Sequence, residues 1–195
     1  MAGAELWLVR HGETEWSASG QHTGTTDIEL SEAGRRHATA LRARLTGIQF
    51  HRVLTSPLQR ARVTAELAGF GDRAELVPEL AEWNYGQDEG RTTPEIREDR
   101  PGWTVWRDGP LGGETAEEIG RRADKVIALV AESEGRVLAF GHGHMSRVIG
   151  ARWIGLPASE GIRLKLSTAA VCVLGYDRET RAIVHWNDTG RLDPG

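Results

Sequence analysis

An arginine and a histidine follow directly on a short apolar run near the start of the chain. The run at 6–9, Leu-Trp-Leu-Val, has polar residues on both sides and is typical of a buried strand. In open α/β sheets, ligands bind at the carboxyl edge of the strands, where Arg10 and His11 would then lie. An arginine there suits a planar oxyanion such as phosphate, and a histidine can act as nucleophile, base or donor. The junction therefore predicts oxyanion chemistry at a sheet edge.

A second junction of the same kind places Arg60 beside a predicted helix start. Residues 52–55 are typical of a short strand, Ser56 is a good N-cap and Pro57 suits the first helical position. Arg60 then lies in the first helical turn among free backbone N–H groups, where a cation opposes the helix dipole. Such a conflict is frequent at functional positions, although a solvated surface arginine would look the same.

A third junction ends the apolar strand predicted at 136–140. Gly141, His142 and Gly143 follow it, and apolar residues then recur at helical spacing to about Ile154. Three separate junctions thus each place a side chain that can bind phosphate at the carboxyl end of a strand. Their agreement indicates one phosphate site assembled from distant parts of the chain.

These and further blocks resemble the histidine phosphatase superfamily, also called phosphoglycerate mutase-like proteins. The matching blocks, in order, are residues 10–14, 23–27 with Leu30, 31–34, 55–57 with Arg60, 82–86, 113–115 and 142–143. Residues 16–21, 103–109 and 142–144 are similar to a phosphatase subgroup that includes actinobacterial acid phosphatases and fungal sedoheptulose-bisphosphatases. The resemblance implies an α/β fold, a three-layer sandwich with a mostly parallel central sheet and helices on both faces. It also implies a single domain over residues 1–195.

The resemblance further implies a phosphoenzyme mechanism with five catalytic residues. His11 is the nucleophile that takes the phosphoryl group. Arg10, Arg60 and His142 bind the oxygens of that group, and Glu82 protonates the leaving oxygen and then activates water. The expected activity is hydrolysis of phosphomonoesters of small metabolites, such as sugar phosphates, sugar bisphosphates or broad acid phosphatase substrates, with no metal and no cofactor.

Elementary chemistry is compatible with these roles. A phosphomonoester carries nearly two negative charges at neutral pH, which two arginines and a protonated His142 would offset. A neutral imidazole at His11 suits attack on an anion, and its other nitrogen then donates to a fixed acceptor, for which a backbone carbonyl near Gly12 is expected. Glu82 must be protonated when the ester binds and ionised when water attacks; the alternative is an exposed loop carboxylate.

Eight further residues are assigned to substrate binding: Ser17, Thr23, Gly24, Tyr85, Trp106, Arg107, Gly143 and His144. Ser17 stands where relatives often carry asparagine, and residues 23–24 could equally form a simple turn. The segment 81–114 has little predicted regular structure and is typical of a lid or binding loop. Trp103 and Trp106 line the substrate pocket or belong to the core, and the sequence leaves both alternatives open.

Three other functions compete with hydrolysis. Mutases of the family carry a longer insertion after the Glu-x-x-Tyr-Gly block, whereas about 30 residues (83–112) separate Glu82 from Gly113. A phosphatase is therefore favoured over a phosphoglycerate mutase-type phosphotransferase. Residues 142–144, His-Gly-His, resemble part of a metal motif, yet residues 145–147 are poor ligands. A non-catalytic phospho-ligand binding protein would need a broken site, and every family catalytic position is occupied.

Composition and charge limit the range of partners. The chain has 195 residues and a net charge of −4, with cations and anions interspersed, which argues against a nucleic-acid partner and against an anionic membrane surface. Only residues 1–4 precede the first strand, too few for a signal peptide, and no apolar stretch approaches the roughly 20 residues of a membrane span. We expect a cytoplasmic protein that binds a small phosphorylated metabolite, and homo-oligomerisation stays open.

The remaining pattern alternates strands and helices. The expected elements are a loop at 12–29, a helix from Ser31 to about Leu45, a helix at 57–68, an edge strand at 75–77, a helix at 115–133 with a Thr115–Glu118 capping box, and strands near 162–167, 169–175 and 181–186. Cys172 lies in an apolar run and is expected in a buried strand. As the single cysteine of the chain, it can form no intrachain disulfide.

Overall fold

A six-stranded sheet forms the centre of the protein, for which a computed structural model describes residues 3–190. Its strands in chain order are β1 (Glu5–Arg10), β2 (Arg52–Thr55), β3 (Ala74–Leu76), β4 (Arg136–Gly141), β5 (Val171–Asp177) and β6 (Thr180–Asp188). Their spatial order is β3-β2-β4-β1-β5-β6. The first four strands of that order are parallel, whereas β5 pairs antiparallel with β1 and with β6. The sheet is mostly parallel, as the sequence predicts.

Helices cover both faces of this sheet. They are α1 (Glu15–Ser19), α2 (Glu32–Leu45), α3 (Gln59–Leu67), α4 (Thr93–Asp99), α5 (Val105–Asp108), α6 (Ala116–Ala131) and α7 (Gly143–Trp153). Leu41 of α2 belongs to one buried cluster with Val9 of β1, and Ile149 of α7 belongs to the other with Leu8 of β1. Because neighbouring strand residues face opposite sides, the predicted three-layer sandwich is confirmed. Over residues 3–190, no helix is long and apolar enough to cross a membrane.

The carboxyl ends of β1, β2 and β4 meet at one edge of the sheet. Arg10 is paired with Gly141 in the parallel register of β1 and β4. The residues that follow continue the pairing: the N–H of His11 donates to the carbonyl of Gly141, and the N–H of Ser56 donates to that of Phe140, both at 2.9 Å. Three junctions that are far apart in the sequence therefore begin side by side.

Several predicted elements are confirmed where their signals are local. Ser31 precedes α2, and its hydroxyl accepts a hydrogen bond from the N–H of Gly34. Thr115 and Glu118 form the capping box of α6. The strand β3 lies at a sheet edge, and Cys172 is buried within β5. Caps and apolar runs act over a few residues, so the sequence alone predicts them.

The predicted start of α3 is wrong by two residues. The helix begins at Gln59 with Leu58 as its N-cap, so Ser56 is not the N-cap and Pro57 is not the first helical residue. The hydroxyl of Ser56 instead lies 2.7 Å from Nε2 of His142. A buried imidazole thus takes the hydroxyl group that the local pattern assigned to the helix start.

The loop predicted at 12–29 is not irregular throughout, because it contains α1. A reciprocal capping box starts this helix: the side chain of Thr14 accepts from the N–H of Ser17, and the hydroxyl of Ser17 accepts from the N–H of Thr14. The usual signature has Glu or Gln at the second position, so the Thr–Ser pair gave a weaker signal.

The strand predicted near 162–167 is not formed. A 3-10 helix spans Ala158–Arg163, and the residues that follow it belong to none of the six strands. Carbonyl groups of this segment accept hydrogen bonds from the side chains of Arg147 and Arg10. Side chains of the site therefore replace the neighbouring strand that the pattern assumed.

Candidate active site

A cavity of about 430 Å³ lies at the carboxyl edge of the sheet. Arg10, His11 and Glu82, which are three of the five predicted catalytic residues, line it. Six of the predicted substrate-binding residues line it as well: Ser17, Thr23, Tyr85, Trp106, Gly143 and His144. Distant parts of the sequence therefore contribute to one concave site.

His11 is held as a neutral imidazole. Its Nδ1 lies 2.7 Å from the carbonyl oxygen of Gly12, which can only accept, so the proton is on Nδ1 and Nε2 carries a lone pair. Burial lowers the pKa of His11 well below its ordinary value, and the charges of Arg10 and Arg60 lower it further. The predicted carbonyl partner is confirmed, and this tautomer is the one that a nucleophile at Nε2 requires.

A close approach of two chain segments fixes the acceptor of His11. The N–H of Gly12 donates to Oγ1 of Thr64 at 3.0 Å. A Cβ on Gly12 would lie 2.5 Å from the carbonyl oxygen of Gly34, and a Cβ on Gly34 would lie 2.1 Å from that of Glu13. No larger residue fits at either position, so α2 packs directly on the loop that holds His11.

Arg10 brings an unsatisfied donor to the same cavity. Its Nη1 donates to the carbonyl of Leu166 at 2.6 Å, and its guanidinium lies against Gly143, where a Cβ would be 3.3 Å from Cζ. Its Nε is buried without a hydrogen-bond partner anywhere in residues 3–190. A buried N–H without an acceptor costs free energy, and an anionic oxygen in the cavity would satisfy it.

Arg60 is completely buried and lies outside the lining of the cavity. Its Nε donates to Nδ1 of His142 at 3.1 Å. Its terminal nitrogens donate to three carbonyls at 2.9 to 3.1 Å, those of Thr23, Gly24 and Thr26. The sequence predicted its place in the first turn of α3, but in this arrangement Arg60 fastens a loop and orients a histidine.

His142 is also completely buried and does not line the cavity. Because the guanidinium of Arg60 can only donate, Nδ1 of His142 must be unprotonated, and Nε2 then donates to Ser56 at 2.7 Å. Burial lowers the pKa of His142 well below its ordinary value, and the positive charge of Arg60 lowers it further. The prediction of a protonated His142 is therefore wrong. Its ring lies 5.2 Å from that of His11, centroid to centroid.

Glu82 lines the cavity with its carboxylate held by three backbone N–H groups. Oε1 accepts from Trp83 and Met145, and Oε2 accepts from His144, each at 2.9 Å. Two of the donors belong to the first turn of α7, where N–H groups lack partners within the helix and the dipole favours negative charge. The contact ties Glu82 to the helix start that follows His142.

Comparison with known families agrees with this geometry. Residues 6–189 match the histidine phosphatase superfamily, branch 1. The chain belongs to this superfamily. It is an enzyme, its named relatives include phosphatases, and the family that the sequence motifs indicate is confirmed.

Relatives of this histidine phosphatase fall in the predicted subgroup. An acid phosphatase of Mycobacterium tuberculosis is 41% identical over 97% of this chain and 95% of its own length. A sedoheptulose 1,7-bisphosphatase of Saccharomyces cerevisiae is 36% identical over 89% of this chain and 75% of its own length. The solved structure of the Mycobacterium tuberculosis open reading frame Rv3214 has a TM-score of 0.91 at 39% identity, covering 96% of this chain and 99% of that chain. The fold and the subgroup are both confirmed.

Two of the predicted substrate-binding residues of the phosphatase lie outside its cavity. The N–H of Gly24 donates to the carboxylate of Glu89 at 2.8 Å. Arg107 is exposed and pairs with Asp108, also at 2.8 Å. The helix α5 is a single turn in which Trp106 faces the cavity, and the next residue is rotated by about 100°. The assignment of Arg107 to the pocket is therefore wrong.

Aromatic residues form much of the cavity wall. The hydroxyl of Tyr85 lies 2.6 Å from Nδ1 of His144. Burial raises the pKa of Tyr85 well above its ordinary value and lowers that of His144 well below, so the pair is neutral. Trp103 and Trp106 line the cavity and also belong to the buried core, so both alternatives hold at once.

Three residues of the cavity wall were not predicted: His22, Arg97 and Arg147. Arg147 lies three residues after His144 on α7, and this spacing, which puts two side chains on one helix face, could have indicated it. Arg97 and His22 carry no comparable signal. Their place in the wall depends on how the segment 81–114 folds over the sheet edge.

The His-Gly-His sequence at 142–144 places its imidazoles in different surroundings. Nδ1 of His144 is bonded to Tyr85, and His142 is engaged by Arg60 and Ser56. In the part of the chain that the structure describes, no three His, Cys, Asp or Glu side chains are grouped so that they could hold a metal ion. The metal-hydrolase alternative gains no support from this geometry.

Proposed function

We propose that this histidine phosphatase hydrolyses phosphomonoesters of small metabolites through a phosphohistidine formed on His11. One observation carries the proposal: a free imidazole nitrogen and an unsatisfied guanidinium N–H belong to the same cavity. Nε2 of His11 is unprotonated because Nδ1 donates to Gly12, and Nε of Arg10 is buried without a partner in residues 3–190. A phosphoryl group offers an electrophile to the first and an acceptor to the second.

In the first step, the Nε2 lone pair attacks phosphorus, and the bond from phosphorus to the ester oxygen breaks in line with the attack. The electron pair of that bond goes to the leaving oxygen, which takes a proton from the carboxylic acid of Glu82. The N–H at Nδ1 of His11 stays bonded to Gly12, which offsets the positive charge that the ring gains. Arg10 holds the equatorial oxygens.

In the second step, water replaces His11 on phosphorus. The ionised carboxylate of Glu82 takes a proton from the water while its oxygen attacks. The bond from phosphorus to Nε2 breaks, its electron pair returns to the imidazole, and inorganic phosphate leaves. The three N–H groups that hold Glu82 keep the carboxylate in place through both steps.

Arg60 and His142 act as positioning residues in this scheme. The family resemblance implies direct contacts with the phosphoryl oxygens, and such contacts would require Arg60 to exchange its carbonyl partners for the substrate. In the arrangement described above, His142 packs behind His11, and Arg60 holds the ring of His142. The buried positive charge of Arg60 also favours an anion in the neighbouring cavity.

A trapping experiment tests the proposal. The protein is mixed with a radiolabelled phosphomonoester and quenched in alkali, because a phosphorus–nitrogen bond survives alkali and is labile in acid. We expect label on the peptide that carries His11 and loss of both label and turnover in His11→Ala. Retained binding of the substrate analogue vanadate by that variant would show that its fold is intact.

His185→Ala is the matched control, since this histidine is exposed on β6. It is expected to keep both label and turnover. Label on any other residue, or phosphate release by His11→Ala at the wild-type rate, would exclude the mechanism.

A further inference from the structure

The cavity of the phosphatase carries more positive charge than one phosphoryl group needs. Three arginines line it, Arg10, Arg97 and Arg147, and Glu82 is the single carboxylate in the lining that the structure describes. Arg10 belongs to the sheet edge beside His11. The other two arginines belong to the opposite, tryptophan-containing part of the wall.

Arg147 is a half-buried cation without a carboxylate partner. Its Nε and one terminal nitrogen donate to the carbonyls of Gly161 and Ile162, each at 3.0 Å. Its guanidinium stacks on Trp106, with Cζ 4.5 Å from the ring centroid. Within residues 3–190, no ion pair offsets its charge, and burial lowers its pKa. A cation held this rigidly, with donors left over, is ready to bind an anion.

Arg97 is the second unpaired cation of this wall. Its Nε donates to the carbonyl of Trp103 at 2.9 Å, and no described carboxylate lies within ion-pair distance of its guanidinium. Neighbouring arginines of the segment 86–114 differ in this respect. The carboxylate partners are Asp99 for Arg91, Asp88 for Arg100 and Asp108 for Arg107.

The difference between paired and unpaired arginines follows the cavity. The paired arginines of the segment 86–114 do not line it, whereas Arg97 does. The same wall holds Trp103, to which Arg97 is bonded, and Trp106, on which Arg147 stacks. A pairing carboxylate is thus absent, among the described residues, only for the arginine of this segment that faces the substrate space.

The geometry points to a second anion subsite, formed by Arg97 and Arg147 on the tryptophan wall, that takes a distal phosphate or carboxylate of the substrate. The subsite deepens the proposed function and rests on it: His11 attacks one phosphoryl group while the distal anion is held across the cavity. The substrate class is therefore a small phosphorylated metabolite with a second anionic group. A guanidinium binds either oxyanion through two N–H groups, so both distal groups share the recognition chemistry.

Matched substrates test the subsite. A sugar phosphorylated at both ends, a phosphorylated sugar acid and the corresponding neutral sugar monophosphate are compared by kcat/KM with the wild-type protein. We expect a preference of about tenfold or more for a doubly anionic substrate. The first two substrates distinguish a distal phosphate from a distal carboxylate.

Variants then connect the preference to the two arginines. We expect Arg97→Ala to lower the ratio of kcat/KM for the preferred substrate to that for the monophosphate by about threefold, and Arg147→Gln by about tenfold. Arg107→Ala is the matched control, because this arginine is exposed, is paired with Asp108 and lies outside the cavity. It is expected to keep the wild-type ratio.

Each outcome bears on the subsite. No preference in the wild type, an unchanged ratio in Arg97→Ala, or an equal fall in Arg107→Ala would overturn it. Arg97 is exposed on α4, so its variant tests the subsite even where Arg147→Gln does not fold. Failure of the proposed function has a different signature, which is turnover by His11→Ala on all three substrates.

Discussion

Two neighbouring imidazoles in the site of this phosphatase use their nitrogens differently. His11 donates from Nδ1 to a carbonyl and keeps Nε2 free, whereas His142 accepts at Nδ1 from Arg60 and donates from Nε2. Burial lowers the pKa of both rings. The identity of each partner, an acceptor for one ring and a donor for the other, therefore decides which histidine can be the nucleophile.

Ser56→Ala tests the neutral state of His142. Removing the hydroxyl leaves the Nε2–H of a completely buried ring without its partner at 2.7 Å. We expect the free energy of unfolding to fall by about 1–3 kcal/mol, measured by urea denaturation. Ser133→Ala removes a half-buried hydroxyl bonded to the carbonyl of Leu129, and we expect a smaller loss. Equal losses in the two variants would contradict the assignment.

The distance along the chain explains which of these contacts the sequence predicted. The acceptor of His11 belongs to the next residue, so turn chemistry alone indicated a carbonyl at Gly12. The partners of His142 are 82 and 86 residues away, in Arg60 and Ser56. No local pattern reports such partners, and the expected charge of His142 was wrong for that reason.

At the scale of elements, the start of α2 presses on the loop that carries the nucleophile. Gly34 lies in the first turns of this helix, directly against the backbone of Glu13. The carbonyl that accepts from His11 belongs to Gly12, one residue earlier. The packing of a helix thus sets the orientation of an imidazole that it does not touch.

Gly34→Ala is expected to destabilise the protein and to slow it. Alanine in a helix interior normally gains about 1 kcal/mol over glycine, but the new Cβ would lie 2.1 Å from the carbonyl oxygen of Glu13. We expect a net loss of about 1–3 kcal/mol in urea denaturation, with a lower kcat because the acceptor of His11 moves.

The control for this change lies on the exposed face of the same helix. Ala43→Gly is expected to cost about 1 kcal/mol through helix propensity and to leave kcat unchanged. A gain in stability for Gly34→Ala, or equal kcat values for Gly34→Ala and the wild type, would show that the contact between helix and loop is unimportant.

At the scale of the whole molecule, burial of the site keeps several histidines neutral. Burial is the largest cause of the lowered pKa of His11, His22, His142 and His144. In the unfolded chain these imidazoles return to an ordinary pKa of 6.5 and take up protons below that pH. The unfolded state then binds more protons than the folded state, so stability decreases as the pH falls below about 6.5.

Urea denaturation between about pH 7.5 and pH 5.5 tests this linkage. We expect the free energy of unfolding to fall with pH, by up to about 1.4 kcal/mol per pH unit for each histidine that stays neutral. His144→Gln removes one such group and is expected to flatten the slope. His185→Gln changes an exposed histidine and is expected to leave it. A slope unaffected by His144→Gln would contradict the neutral state of that ring.

The sequence by itself determined the strand-to-helix junctions, the family and the reacting groups, because apolar runs, caps and turn residues act over a few positions. Only the tertiary structure decided that His142 is neutral, that Arg60 faces a loop and that Arg97 rather than Arg107 lines the cavity. Each of these outcomes depends on partners brought together from distant segments. Burial among such partners sets charge and direction, and residue type alone does not carry that information.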